Sequence, residues 1–274
     1  MLDPIHHECG VAAVYRIGGD GENRGEGVAG QPAGQNGTGQ SSSAEQIAAE
    51  EAEESVVRWI PDMLIDLQNR GQLAAGLTRY NPTARQIIDT HKDVGSVSDV
   101  FKLTHPDPAK FRAIIDEYRG PAAIGHVRYA TCGTDDPSYA QPFERHDGRK
   151  SEWFAFAFNG NIANYRELAD DLVSKGYHLV RETDTELLMH HIGYALNNCA
   201  PGDFPAVFAH IAEVVDGAYT LAFLNANGDM ILARDPHGFR PLEYGVKDGV
   251  FAAASESLAL TNRGIEEVHS LEPG

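Results

Sequence analysis

A succession of short apolar, β-prone runs closed by turn residues limits the folds open to this chain more than any other feature. Residues 9–15, 122–131 and 151–158 are such runs; the second passes into a loop and the third ends at Asn159-Gly160-Asn161, which alone reads as a turn. Residues 218–224 and 230–234 flank Asn225-Ala226-Asn227-Gly228, a hairpin signal. Residues 246–251 suggest another hairpin, and 77–80 with 86–91 a strand pair around Asn81-Pro82. Helical stretches fall between them, at 97–101, 109–118, 162–174, 183–198 and 204–215. An earlier one is amphipathic, with Val56, Ile60, Leu64 and Leu67 at helical spacing. Pro61 suits its first turn, and Gly71 its C-terminal end. Such a mixture reads as α+β, and periodicity says no more.

At 274 residues the chain makes one large domain or two small ones, enough for a sizeable core. Its formal net charge of −18 argues against nucleic acid or an anionic membrane as the main partner, since both would repel it. Part of that charge is the acidic stretch 45–54, read as a solvated face. Cys9, Cys132 and Cys199 are widely spaced and odd in number, so they form neither a disulfide framework nor a metal site. That usage suits a reducing cytoplasm. No apolar run reaches the roughly 18 residues that a membrane span requires.

Residues 18–43 are rich in Gly, Gln and Ser and nearly devoid of large apolar side chains. Such a stretch cannot offset its ordering entropy by burial, and it reads as a disordered insertion. Residues 1–8 lack the basic and apolar regions of a secretion signal. Behind them stands Cys9. A thiol titrates near about 8.5 and a terminal amine near about 8, so an amine on the same residue can take the thiol proton. An amide nitrogen cannot, because its lone pair is delocalised. Cys9 gains a built-in base only if the Glu8–Cys9 bond is cut. Taken alone it reads as a small buried hydrophobe at a strand start.

Blocks further along change that balance. Leu67-Gln68-Asn69-Arg70-Gly71-Gln72 is followed by Ala74-Ala75-Gly76, then Gly125-His126-Val127-Arg128-Tyr129-Ala130-Thr131, then Ala140-Gln141-Pro142-Phe143. Asn159-Gly160-Asn161, Thr183-Asp184-Thr185-Glu186, Arg234-Asp235-Pro236-His237-Gly238-Phe239-Arg240-Pro241-Leu242 and Ala254-Ser255-Glu256 complete the series. With Cys9 and in this order, they resemble the class II, N-terminal nucleophile, glutamine amidotransferases, and within them the glutaminase domain of the amidophosphoribosyltransferase type. The fold this implies is the N-terminal nucleophile hydrolase four-layer αββα sandwich of two antiparallel sheets.

The resemblance implies a role for each block. Cys9 becomes the nucleophile that forms a glutamyl thioester. Arg128 would grip the glutamine α-carboxylate with its planar fork, with Thr131 as hydroxyl partner. The alternative for Arg128 is a surface ion pair. Asn159, through its side-chain amide, and Gly160, through its N–H, would stabilise the oxyanion. Asp184 would hold the α-ammonium, although a helix dipole also favours a carboxylate there. Thr183 and Glu186 have capping-box spacing. Arg70 either orders the glutamine pocket beside the nucleophile or is a cation at a helix C-terminus; the residues leave both open. The Arg234–Leu242 stretch reads as rigid scaffold.

The domain plan expected is a leader at 1–8 and a glutaminase domain at 9–274. The transferase half that would use the ammonia is absent from the sequence, so a longer polypeptide carrying a phosphoribosyltransferase domain is expected. No cofactor is expected in this chain; whether the missing half holds Mg2+ or an iron–sulfur cluster is left open by these residues. Glutamine is the expected substrate and a homo-oligomer the expected assembly. The competing readings are the glutaminase domain of another amidotransferase such as glucosamine-6-phosphate synthase, a stand-alone amidase of the same fold, and a non-enzymatic domain that keeps its leader.

Overall fold

A computed structural model describes residues 9–18, 55–129, 136–146 and 148–274. The leader, Thr131, and all of the 18–43 insertion but Gly18 lie outside the described residues. In chain order the strands are β1 (Gly10–Arg16), β2 (Ala74–Tyr80), β3 (Ile88–Val94), β4 (Ala122–Arg128), β5 (Phe143–Arg145), β6 (Phe154–Ile162), β7 (Gly217–Asn225), β8 (Met230–Arg234), β9 (Glu243–Lys247), β10 (Val250–Ala254) and β11 (His269–Ser270). The helices are α1 (Trp59–Asp66), α2 (Val97–Val100), α3 (Ala109–Glu117), α4 (Tyr165–Ser174), α5 (Asp184–Asn198), α6 (Phe204–Val214) and α7 (Ser257–Thr261).

Two antiparallel sheets result. One has seven strands in the order β11-β9-β10-β1-β4-β2-β3, the other four in the order β5-β6-β7-β8. Side-chain alternation along each strand decides what covers each face. In β1, Ala12 and Val14 face α1, α2 and α7, whereas Val11 and Ala13 face the second sheet. In β6, Phe154, Phe156 and Phe158 pack against α4, α5 and α6, whereas Ala155 and Ala157 face the first sheet. On β6, therefore, the large groups meet the helices and the small groups meet the other sheet. The layers run helix, sheet, sheet, helix.

Local details differ from the sequence expectation at three places. Gly71 is not a left-handed helix cap. The helix gives way to a 3-10 turn at Gln68–Arg70, and Gly71 is extended, with φ −176°. A Cβ there would overlap the Arg128 carbonyl, so glycine is required by close approach of β4. Asn159-Gly160-Asn161 is not a turn either: β6 continues through it to Ile162, because the long β7 pairs it at Asn159↔Thr220, Gly160↔Tyr219 and Asn161↔Ala218. The following helix consequently begins at Tyr165, three residues later than the pattern suggested. The capping box is half formed. Thr183 accepts from the Glu186 N–H at 3.2 Å, but the Glu186 carboxylate accepts instead from the N–H groups of Val180, Arg181 and Glu182.

His126 crosses from one sheet to the other. It is fully buried, and its Nε2 donates to the Phe158 carbonyl at 3.1 Å. Burial pushes its pKa down to about 3. In the unfolded chain histidine titrates near about 6.5, so the folded state binds fewer protons between those values. This contribution to stability is complete above about pH 6.5 and is lost as pH falls toward 3. Urea unfolding across that range is expected to show a pH slope shallower by up to one proton in His126→Asn, about 1.4 kcal/mol per pH unit. Parallel curves for the two proteins would contradict the assignment.

Candidate active site

Register brings the named residues together before any side chain is considered. Gly10 pairs with Val127, so Cys9 lies beside Arg128 at the end of β4. On the other flank of β4, Ala74 pairs with Arg128, so the turn carrying Arg70 arrives at the same edge. Arg70 Nε donates to the Cys9 carbonyl at 3.0 Å, and its Nη1 bonds Glu256 Oε1 at 3.0 Å. Ser255 secures the adjoining residue: its Oγ accepts the Val11 N–H at 2.9 Å, and its own N–H donates to the Val11 carbonyl. The start of β1 is thus pinned from both sides.

Cys9 opens onto a cleft of about 370 Å³ whose lining includes Arg128, Asn159, Gly160, Asp184 and Arg240. A larger groove of about 640 Å³ lies elsewhere, lined by groups such as Tyr15, Phe204, Met230, Leu232 and Phe251. It is lined by no cysteine and no arginine, and most of the residues singled out in the sequence line the smaller cleft. The Cys9 Sγ lies 3.7 Å from the Tyr129 carbonyl. Burial raises the thiol pKa, and the nearby guanidinium groups of Arg128, Arg70 and Arg240 oppose that rise.

Two donors face the cleft. Asn159 is buried, and its Nδ2 has no hydrogen-bond partner; a buried polar group left in that state calls for an explanation. Along β6 the backbone groups alternate in direction. Ala163 N–H bonds Asp216 and Ala226 N–H bonds Trp153, which fixes the odd-numbered residues toward β7. The even-numbered N–H groups point to the other edge: Phe158 to Gln141 Oε1 at 2.8 Å and Ile162 to Asp184 Oδ2 at 3.0 Å. Gly160 lies between them, and its N–H is directed at the cleft. A Cβ on Gly160 would strike the β7 backbone at Ala218 and Tyr219, so the position is restricted to glycine.

Asp184 is the first residue of α5, behind the N-cap Thr183. Burial raises its carboxyl pKa, and the bond from Ile162 N–H opposes the shift. The loop before it is shaped by Glu186, whose three N–H contacts hold Glu182 at φ 51° on the cleft wall.

Of the residues singled out in the sequence, Cys9, Arg128, Asn159, Gly160 and Asp184 share the cleft. Arg70 stands behind Cys9 and does not line the cleft. Arg240 was read as scaffold, yet it lines the cleft. Asp235 builds the loop that presents it, accepting the N–H groups of Tyr219, His237 and Phe239, while Arg234 Nε bonds the Arg240 carbonyl at 2.7 Å. The signal available was the second arginine of a loop too rich in Pro and Gly to move. Glu256 was also missed. Among the described residues no group of His, Cys, Asp and Glu could hold a metal ion, and no helix is long and apolar enough to cross a membrane. Chemically the lining residues of the cleft include a thiol, two guanidinium groups, the carboxylates of Asp184 and Glu182, and the amide groups of Asn159 and Gly160.

Residues 126–262 match the family of the glutamine amidotransferase domain. The chain belongs to that family. Similar curated proteins are amidophosphoribosyltransferases. That of Methanothermobacter thermautotrophicus is 33% identical over 229 residues, covering 83% of this chain and 44% of its relative. That of Escherichia coli K12 is 34% identical over 226 residues, covering 78% and 42%. Among solved structures, the glutamine phosphoribosylpyrophosphate amidotransferase of B. subtilis, complexed with ADP and GMP, superposes with a TM-score of 0.70 at 25% identity. That likeness covers 97% of this chain and 46% of the other. The αββα layers are therefore the N-terminal nucleophile fold of the glutamine amidotransferases, and the chain spans less than half the length of the relatives it matches.

The cation set around Cys9 has a measurable consequence. Arg240→Met removes one of the charges opposing the rise in thiol pKa. The pH midpoint of Cys9 alkylation by iodoacetamide is expected to move upward in the variant; an unchanged midpoint would remove Arg240 from the electrostatics of the thiol.

Proposed function

We propose that this chain hydrolyses the side-chain amide of glutamine and supplies the ammonia to a phosphoribosyltransferase domain, the glutaminase half of an amidophosphoribosyltransferase. One observation carries the reading: Cys9, Arg128, Asp184 and the unpartnered Asn159 Nδ2 share a single cleft. The repeated appearance of amidophosphoribosyltransferases among the relatives favours this over glucosamine-6-phosphate synthase. Relatives about twice as long support a transferase domain on the same full-length polypeptide, acting as the partner. In this reading residues 1–8 are removed, residues 9–274 form the glutaminase domain, and the protein acts as a homo-oligomer in the cytoplasm.

In the mechanism, Arg128 holds the glutamine α-carboxylate, with Thr131 (outside the described residues) as hydroxyl partner, and Asp184 holds the α-ammonium. The Cys9 amine takes the thiol proton, and the thiolate attacks the carbonyl carbon of the side-chain amide. The resulting oxyanion is met by Asn159 Nδ2 and the Gly160 N–H, fixed before the reaction begins. The C–N bond breaks as the Cys9 ammonium returns the proton to the leaving nitrogen, releasing ammonia. Water, deprotonated by the same amine, then cleaves the thioester to glutamate and restores the thiol. Arg70 acts one step back, by holding the Cys9 carbonyl.

Cys9→Ala is expected to abolish ammonia release from glutamine. Asn159→Ala should lower kcat about 10²–10³-fold, or roughly 2.7–4 kcal/mol; near-normal turnover would take Asn159 out of the site. Asp184 must be ionised to hold the ammonium, and its carboxyl pKa is raised, so kcat/KM should begin to fall at a higher pH on the acid side than for an ordinary carboxylate near about 3.9. An acid limb at or below that ordinary value would contradict this assignment. Intact mass of protein from its native host should begin at Cys9.

A further inference from the structure

The support behind Asn159 and Gly160 is not a strand. β5 pairs with β6 only as far as Phe143↔Phe156, so among the described residues that edge of β6 has no neighbouring strand from Phe158 onward. Gln141 takes the place. Its Oε1 accepts the Phe158 N–H at 2.8 Å, and its Nε2 donates to the Phe158 carbonyl at 3.1 Å. A primary amide presents a donor and an acceptor together, as a strand neighbour does, so Gln141 extends the ladder by one rung and ends it. His126 adds a second donor to that carbonyl from the other sheet. The next N–H along the edge, that of Gly160, faces the cleft.

Gln141 is anchored in turn. Lys92 Nζ donates to the carbonyls of Ala140 and Pro142, on either side of it, at 2.8 and 3.0 Å. The same ammonium lies 4.8 Å from the centre of the Phe143 ring. An unbroken run of contacts therefore leads from Lys92 through the 140–142 segment to the Phe158 peptide, one residue before the oxyanion donors.

We propose that Gln141, clamped by Lys92, is the positioning residue that aims the Asn159 side chain and the Gly160 N–H at the developing oxyanion. The inference rests on the glutaminase reading above. Gln141 holds this edge on one side of Gly160 and Asp184, through the Ile162 N–H, on the other, while neither Arg128 nor Asp184 bonds Gln141 among the contacts described.

The test compares ligands that need those donors with one that does not. Glutamate γ-semialdehyde adds the Cys9 thiol across its aldehyde, forming a C–S bond and a hemithioacetal whose oxygen occupies the oxyanion position. Product glutamate forms no such oxygen. In Gln141→Leu, kcat should fall about 10- to 100-fold, as for loss of a supporting residue, and the aldehyde inhibition constant should rise by a similar factor. KM and glutamate inhibition should stay near wild type. Gln141→Glu keeps the acceptor for Phe158 N–H, loses the donor when ionised, and should fall between. If the leucine variant fails to fold, Gln141→Glu and Lys92→Met carry the same comparison. Weaker binding of aldehyde and glutamate alike, or wild-type kcat in a folded variant, would overturn the inference. Wild-type protein that neither turns over glutamine nor binds the aldehyde would overturn the glutaminase reading itself.

Discussion

The packing of the two sheets against each other, with the alanines of β6 turned inward, is the contact on which the rest depends. Ala155, Ala157 and Ala222 of one sheet meet Val11, Ala13, Ala122 and Ile124 of the other, with the phenylalanines of β6 turned away toward the helices. Close-packed interiors leave little room for adjustment, and added volume typically costs about 1–3 kcal/mol. Because the sheets approach so closely, His126 reaches the Phe158 carbonyl directly. The end of β4, the start of β1 and the last residues of β6 then open on one cleft. A thicker layer would leave the thiol and Asn159 on separate surfaces.

The cleft gives up stability locally. An unpartnered buried amide such as Asn159 Nδ2 costs about 1–3 kcal/mol, and a non-glycine residue in the left-handed region, as at Glu182, adds strain. Opposing contributions come from the surrounding frame: the Glu186 carboxylate holding three N–H groups, Asp235 holding the 235–239 loop, and Ser255 with Glu256 securing the start of β1. Rigid support around unsatisfied groups is what preorganised chemistry requires, since donors that are already aimed need not reorganise when charge appears.

Much of this was legible in the sequence, and the parts that were not share a cause. Strands and hairpins follow from apolar runs and turn residues, so the α+β class and the β7–β8 and β9–β10 hairpins were readable. Cys9, Arg128, Asn159, Gly160 and Asp184 stood in ordered blocks, and they do meet in one cleft. The errors arose where a residue answers to a neighbour distant in sequence. Gly71 looks like a helix cap but is required by Arg128, 57 positions later. Asn159-Gly160-Asn161 looks like a turn but is held in a strand by β7. Gln141 carries no local mark of its part in the cleft; only the packing of its loop reveals it. The Phe-Ala-Phe-Ala-Phe alternation of residues 154–158 did carry the sheet-spacing rule on its surface, and it went unread.

The account turns on one sulfur reacting with the side-chain carbonyl of a bound amino acid. Treatment with a glutamine analogue bearing a diazoketone in place of the γ-amide, followed by peptide mass mapping, tests that directly. One adduct per chain on Cys9, suppressed by excess glutamine, is the predicted result. Adducts on Cys132 or Cys199 instead, or labelling of Cys9 that glutamine does not slow, would contradict it.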